Sequence, residues 1–272
     1  MSAGDAPTGR AGRFLALHVK GRPLLQPNAW DAGSARILAS LGFEAMATTS
    51  SGFAASLGRP DGGASAEEVL AHCAAICQAV EIPVAADLEN GYAREPTLVA
   101  DTVRRAAETG LAGCSIEDYS KHEGLYDPVL AAERVAAAAE AAHGGDRQLV
   151  LTARAENHIR ANPDLADTIA RLQTFQAAGA DVLFAPGINS PADIKAVIDS
   201  VDLPVNILVE PGSPPVPDLA SLGVARISVG GAFAFGAYAR LVEAAEELRQ
   251  SGTYGFWDAI TANRAALRDA FR

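Results

Sequence analysis

The chain has 272 residues, 49% of them hydrophobic, and a formal net charge of −11 at pH 7. That length and apolar content suit one large core, while an acid excess with scattered basic residues excludes nucleic acid and anionic membranes as partners. The three cysteines, Cys73, Cys77 and Cys114, lack CxxC spacing and form no disulfide framework, so they read as small buried thiols.

Met1 to Gly12 is polar, without an apolar h-region, and reads as a disordered lead-in rather than a signal peptide. No stretch is long and apolar enough to span a bilayer; with unpaired thiols, a reducing cytoplasm is the expected compartment. From Leu24 onward a strand–loop–helix pattern recurs eight times. Strands are predicted at Leu24–Pro27, Ala45–Thr48, Pro83–Asp87, Gly113–Glu117, Leu149–Ala153, Val182–Ala185, Val205–Val209 and Arg226–Val229. Alanine-rich amphipathic helices fall at Gly33–Leu41, Ala66–Val80, Pro96–Thr109, Val129–Ala142, Leu165–Ala178, Pro191–Ser200, Pro217–Leu222 and Ala232–Leu248. Gly42, Gly110, Gly179 and Gly223 close helices, and after the last three a strand follows at once, the short αβ connection of a repeating unit. Strict alternation predicts an α/β fold, a (β/α)8 TIM-type barrel rather than an open doubly wound sheet. No linker splits the chain, so residues 1–272 read as a single barrel domain. An extra C-terminal helix is expected within residues 254–272, where Trp257, Ile260, Leu267 and Phe271 pack either on the barrel or on a second subunit of a homo-oligomer.

Two apolar runs end abruptly in acids: Ala85-Ala86-Asp87-Leu88-Glu89 and Cys114-Ser115-Ile116-Glu117-Asp118. A buried strand that delivers carboxylates at its C-terminal end is costly unless a cation or substrate compensates the charge. In a barrel that end forms the ligand site. Asn28 and Asp31 follow the first strand; Thr49, Ser50, Ser51 and Gly52 the second, with Asp61 farther along; Arg154 and Glu156 follow the fifth, and Asn206 and Glu210 lie at the seventh. No Ser-His-Asp order and no HExxH pair stands out. An all-oxygen, carboxylate-rich set suits Mg2+.

These segments resemble the isocitrate lyase/phosphoenolpyruvate mutase superfamily. The motifs are Thr49-Ser50-Ser51-Gly52-Phe53 with Leu57-Gly58-Arg59-Pro60-Asp61, Asp87-Leu88-Glu89-Asn90-Gly91-Tyr92, Ile116-Glu117-Asp118 and Ala153-Arg154-Ala155-Glu156-Asn157, in family order. The resemblance implies Asp87 as the direct Mg2+ ligand and Asp61, Glu89 and Glu117 as holders of its waters. It implies Arg154 facing a developing enolate, and Ser50, Ser51 and Gly52 donating backbone N–H groups to substrate oxygens, with Asn206 as a further substrate contact. A 2-oxo acid would chelate the metal through its carboxylate and keto oxygens, and the metal with Arg154 would stabilise the enolate.

The loop after the fourth strand, Tyr119-Ser120-Lys121-His122-Glu123-Gly124-Leu125-Tyr126, lacks the family's lyase cysteine, and Cys114 lies in the preceding strand. It also lacks the asparagine of the phosphonate enzymes. The reading is therefore a Mg2+-dependent carbon–carbon lyase or decarboxylase of a small 2-oxo (di)carboxylic acid. Phosphonate C–P chemistry and a low-turnover 2-oxo acid binder stand as alternatives. Ser120–Tyr126 is expected to be a mobile lid carrying His122 as a gating acid, or else a solvated loop. Glu156 reads as the ion-pair partner of Arg154, Asp118 as a cap on the following loop, and Asp31 as a helix N-cap. His18, His72, His143 and His158 read as helix or surface positions, and Ser228-Val229-Gly230-Gly231 as a phosphate cradle or tight strand–helix packing.

Overall fold

The computed structural model describes residues 9–160 and 162–272. Its barrel strands are Leu24–Gln26 (β1), Asn28–Ala29 (β2), Met46–Thr48 (β3), Val84–Asp87 (β4), Gly113–Glu117 (β5), Val150–Arg154 (β8), Val182–Phe184 (β9), Val205–Leu208 (β10) and Arg226–Ser228 (β11). Between β5 and β8 stands a small antiparallel hairpin, Tyr119–Ser120 (β6) with Gly124–Leu125 (β7). The sheet is parallel throughout, in the order β1-β11-β10-β9-β8-β5-β4-β3-β2. The predicted first strand ends at Pro27, which has no N–H for a ladder, and just past it the chain forms the further short strand β2, which was not expected. β1 pairs with β11 and β2 with β3, so one bent segment brings the ends of the sheet together. The predicted TIM-type barrel is therefore the fold.

The helices are Gly9–Ala16 (α1), Ala32–Ser40 (α2), Ser50–Ser56 (α3), Ala66–Ala79 (α4), Pro96–Ala107 (α5), Pro128–His143 (α6), Leu165–Ala177 (α7), Pro191–Asp199 (α8), Val216–Ser221 (α9), Ala232–Ser251 (α10), Phe256–Ala262 (α11) and Arg264–Ala270 (α12). Their starts follow local chemistry. Asp31 caps α2, accepting from the Ser34 amide at 2.6 Å in a capping box, as expected. Proline occupies the first position of α5, α6 and α8, where its missing N–H costs nothing. Gly110 and Gly179, at φ +94° and +100°, turn the chain from helix to strand in the left-handed region glycine favours.

The expected lead-in needs correction: its first eight residues lie outside the described residues, but Gly9–Ala16 is a helix that closes the base of the barrel. Phe14, wholly buried, enters the bottom layer with Leu24, Ala45, Ala47, Ala85, Val150 and Val182. Burying such a ring contributes about 2–3 kcal/mol. Gly113 makes room for it, since a Cβ there would lie 2.9 Å from Phe14 Cε1 and 2.7 Å from the Val150 carbonyl. A second, larger core fills the shell between strands and helices, with Met46, Ile76, Leu149, Leu151 and Leu183 at its centre.

The C-terminal segment is also corrected. The single predicted helix breaks at Asn263 into α11 and α12, and Phe271 comes against Gly33 of α2 on its own barrel. The helix after β11 is the odd member of the ring. Of the 20 residues of α10 only Ala234 is buried, and Phe233, Phe235, Leu241, Val242 and Leu248 are exposed, as is Leu25 on β1. Among the described residues, no helix is long and apolar enough to cross a membrane.

Candidate active site

The C-terminal ends of β3, β4, β5 and β8 converge on one mouth. Thr48, on β3, accepts the Asp87 amide at Oγ1 (3.0 Å), and Thr49 caps α3, accepting the Gly52 amide at 3.4 Å. The Thr49–Gly52 segment, where the sequence reading placed no helix, is thus the start of one. The Ser50 amide donates to Asp87 Oδ2 at 3.1 Å and the Glu89 amide to Oδ1 at 3.2 Å, which orients this carboxylate from two sides. The Ser51 hydroxyl lies 3.1 Å from Thr49 Oγ1. Gly231 packs against it, for a Cβ at 231 would sit 2.6 Å from Ser51 Oγ.

Beyond β4 the backbone is strained where function concentrates. Glu89 and Tyr92 hold φ of +49° and +58° without being glycine, a cost of order 1–3 kcal/mol each. The turn is over-determined: the Glu117 amide donates to the Glu89 carbonyl at 2.9 Å and the Leu88 amide to the Ser115 carbonyl at 3.1 Å. Buried Arg134 donates to the carbonyls of Asn90, Ala93 and Arg94 from below. The Tyr92 hydroxyl donates to Glu89 Oε1 at 3.2 Å.

Arg154 stands at the centre. Its Nε donates to Glu156, which is fully buried and also holds Arg160 at 2.9 Å; its Nη1 lies 3.3 Å from Glu117 Oε2 and 4.0 Å from Asp87 Oδ1. Glu156 is thus the expected ion-pair partner. Burial works against the Arg154 charge, but Glu117, Glu156 and Asp87 hold its pKa above the usual arginine range. Burial raises Glu117 well above the usual carboxylate range; the Arg154 guanidinium opposes this, and the like charges of Glu156 and Asp87 add to it. Glu89 is pushed up to about 7, first by burial and then by Asp87 and Asp61. Among the described residues, five carboxylates here, Asp61, Asp87, Glu89, Glu117 and Glu156, face the cations Arg154, Arg160 and Lys121, while Arg94 of the same lining is paired with Glu123. That surplus of hard oxygen donors fits a divalent cation such as Mg2+. Among the described residues no three His, Cys, Asp or Glu side chains close on one point.

Two chambers meet at this mouth, sharing Ser50, Asp61 and Arg154. The outer, about 580 Å3, is roofed by the β6–β7 hairpin and lined by Glu89, Tyr92, Glu117, Lys121 and His122. The inner, about 180 Å3, runs down the barrel axis past Asp87, Thr152 and Asn206 to Arg226. The segment Ser120–Tyr126, expected as a mobile lid or else a solvated loop, thus carries most of a short hairpin. Lys121 Nζ donates to the Gly62 carbonyl, Arg94 pairs with Glu123, and the Arg160 guanidinium lies 4.0 Å over the Tyr119 ring. Tyr126 donates its amide to the Asp118 carbonyl at 2.8 Å. Asp118 does not cap the loop with its side chain. It is buried, accepting from the Glu156 amide at 2.8 Å and Arg171 at 2.9 Å, and so ties β5 to β8 beneath the site.

Other expectations shift. Asn206, on β10, is buried and spends both ends of its amide inside the barrel, on Ser228 Oγ and Arg226 Nε, each at 2.9 Å. The amides of Val229 and Gly230 donate to Asn28 Oδ1 at 3.1 and 2.9 Å, which takes two donors from the phosphate cradle and favours the packing role of these glycines. His18 is not a surface residue: it is buried under the barrel against Arg226, and burial with that neighbouring charge pushes its pKa down to about 3. His72, stacked on Phe53, is pushed down to about 4 by burial. Cys114 lines the inner chamber and not the lid; burial pushes its thiol up to about 12. Sequence reasoning missed Gln26, Tyr92, Arg160 and Arg226. Of these, an arginine inside a predicted strand was a visible signal, because a buried cation needs a reason.

The profile of the phosphoenolpyruvate phosphomutase family matches residues 14–249. A solved structure from Burkholderia cenocepacia J2315, provisionally designated a lyase/mutase, is 45% identical, covers 95% of this chain and 94% of its own, and superposes with a TM-score of 0.91. An uncharacterised protein of Mycobacterium tuberculosis is 36% identical over 89% of this chain and 93% of that protein. The oxaloacetate decarboxylase of Bradyrhizobium diazoefficiens is 30% identical over 74% of this chain and 72% of the enzyme. The chain belongs to the isocitrate lyase/phosphoenolpyruvate mutase superfamily of lyases and mutases.

Proposed function

We propose that the protein is a Mg2+-dependent carbon–carbon lyase or decarboxylase of a small 2-oxo acid. The observation that carries this is the mouth of the barrel, where Arg154 stands 3.3 Å from Glu117 and 4.0 Å from Asp87 under a surplus of carboxylates. Asp87 would hold the ion directly, with Asp61, Glu89 and Glu117 on its waters. When bound, the ion supplies Lewis-acid polarisation of the substrate oxygens. Arg154 serves the charge that develops on the keto oxygen as the bond beyond C3 breaks. Glu156 fixes its plane in advance, so little reorganisation is needed during reaction. Ser50 and Ser51, at the start of α3, orient the acid head. The hairpin excludes water, and His122 on its turn is the side chain placed to bring a proton toward the enolate carbon.

The proposed partner is a second copy of the chain. An amphipathic 20-residue helix with one buried residue, together with an exposed Leu25 on β1, leaves apolar surface uncovered that another α10 would cover. Three free, buried thiols suit a reducing compartment. Assays of oxaloacetate, methylisocitrate, isocitrate, phosphonopyruvate and 2-oxoglutarate with and without Mg2+ test the reading. Mg2+-dependent turnover of a carboxylic substrate supports it, while turnover of phosphonopyruvate alone would replace it. Light scattering at micromolar concentration tests the partner, with a monomer counting against it.

A further inference from the structure

Arg226 opens β11 and is 4% exposed, deep on the barrel axis. Its Nε donates to Asn206 Oδ1 at 2.9 Å and its Nη2 to Thr152 Oγ1 at 3.1 Å; its Nη1 lies 3.1 Å from His18 Nε2. His18 Nδ1 is 3.0 Å from the Phe14 carbonyl, which places the proton on Nδ1 and leaves Nε2 to accept. All three partners are neutral. Among the described residues no carboxylate comes within 4.0 Å of this guanidinium, whereas Arg154 above it has three. Burial alone lowers the Arg226 pKa, to about 9. A cation so enclosed is expensive without a counter-charge, and a guanidinium has five N–H donors, of which these contacts use three.

A second observation points to the same space. Gln26, 2% exposed and in register with Ser228, lines the inner chamber, and its Nε2 has no hydrogen-bond partner. Buried amides are paired as a rule. The inner chamber that both line holds about 180 Å3 in all, several times the roughly 30 Å3 share of one water. Thr152, which accepts a hydrogen bond from Arg226, precedes Arg154 by two residues on β8, and both face the chamber. Two residues of strand rise about 6.6 Å, the reach of a short diacid.

We propose that the inner chamber is a carboxylate-binding subsite, in which Arg226 supplies the charge and Gln26 an amide donor for the second carboxylate of a dicarboxylic 2-oxo acid. The identity of the acid's head rests on the proposed function; the subsite rests on Arg226 and Gln26. It selects diacids over monoacids of equal chain length.

The matched pair 2-oxoglutarate and 2-oxopentanoate tests this by titration calorimetry with Mg2+ present, with glutarate as a diacid lacking the keto group. The wild-type protein should prefer 2-oxoglutarate over 2-oxopentanoate by about 30-fold or more, in line with a charged hydrogen-bonded pair. Arg226→Met should reduce that preference to within about 3-fold while leaving 2-oxopentanoate affinity unchanged. Gln26→Met, which keeps the cation, should cost several-fold on the diacid alone and guards against a misfolded Arg226 variant. Equal wild-type affinity for the two oxo acids overturns the subsite and leaves the 2-oxo acid reading standing. Glutarate binding that depends on Arg226, with neither oxo acid bound, sustains the subsite and overturns that reading. A diacid preference unchanged in both variants would make Arg226 purely structural and overturn the proposal.

Discussion

Two arginines share the axis of this barrel and live under opposite electrostatic rules. Arg154, at the mouth, is enclosed by Asp87, Glu117 and Glu156, and its charge is balanced by the protein itself. Arg226, below it, is held by an asparagine, a threonine and a neutral histidine. The upper layer is over-supplied with acid and invites a cation; the lower has an unbalanced cation and invites an acid. On the reading proposed above, a 2-oxo diacid bound with a divalent ion would neutralise both imbalances together.

The sharpest way to break this contrast is to remove each cation without replacing its volume of charge. Arg154→Met strands three carboxylates and should destabilise the fold by about 3–5 kcal/mol, read as a fall in Tm, whereas Arg226→Met should leave Tm unchanged or raised. Equal losses in the two variants would erase the distinction. The milder Arg154→Lys keeps charge but loses the planar fork held by Glu156. It should lower kcat by about 10²–10³-fold with a smaller change in KM, as for a group acting in the transition state; an unchanged kcat with raised KM would make Arg154 a ground-state clamp. Next in size, Asp87→Ala should abolish the Mg2+ response in a metal titration, while Glu89→Gln weakens it by about 10–100-fold. A wild-type response in Asp87→Ala would show that the upper layer does not recruit a metal through that residue.

The lower layer has its own pH signature. His18 is depressed to about 3 in the folded protein from an ordinary 6.5, through burial and the Arg226 charge. Between those values the unfolded chain binds the extra proton, so stability from this group is full above pH 6.5 and is lost as pH falls toward 3, by up to about 4 kcal/mol. His18→Gln should flatten that acid limb in urea titrations; an unchanged limb would mean His18 does not sit against a charged Arg226. Smallest is a control outside the barrel axis. His143 donates to Asp181 at 2.9 Å and is raised mainly by that bond. Its contribution is full below pH 6.5 and fades as pH climbs through the folded value. Because the ring is 37% exposed, His143→Gln should cost less than about 1 kcal/mol at pH 6 and nothing at pH 9.

Much of the upper layer was legible in the sequence because its residues stand at strand ends beside turn signals. The runs ending in Asp87 and Glu117 delivered their acids where the pattern put them, and Glu156 proved to be the partner of Arg154. The lower layer was hidden. β11 spans three residues, too short for alternation to say which side chain points inward. His18 follows a helix whose first residues, Gly9–Gly12, were read as part of the lead-in, because two glycines within four residues argue against a helix start. Thr49 caps a helix where Ser50, Ser51 and Gly52 gave no helical signal, because helical starts and turns use the same small polar residues. The face of α10 was visible as amphipathic; what covers such a face depends on a surface outside its own segment.

The plug formed by Gly9–Ala16 and Phe14 turns the barrel into a blind alley. Whatever reaches the floor must pass the mouth, and whatever is made there must leave past the hairpin. Order of arrival then becomes order of departure in reverse: the group that lodges deepest enters first and is released last. A fragment that keeps the lower carboxylate should therefore be the final product off the protein and a competitive inhibitor of the next substrate, while the other fragment leaves freely.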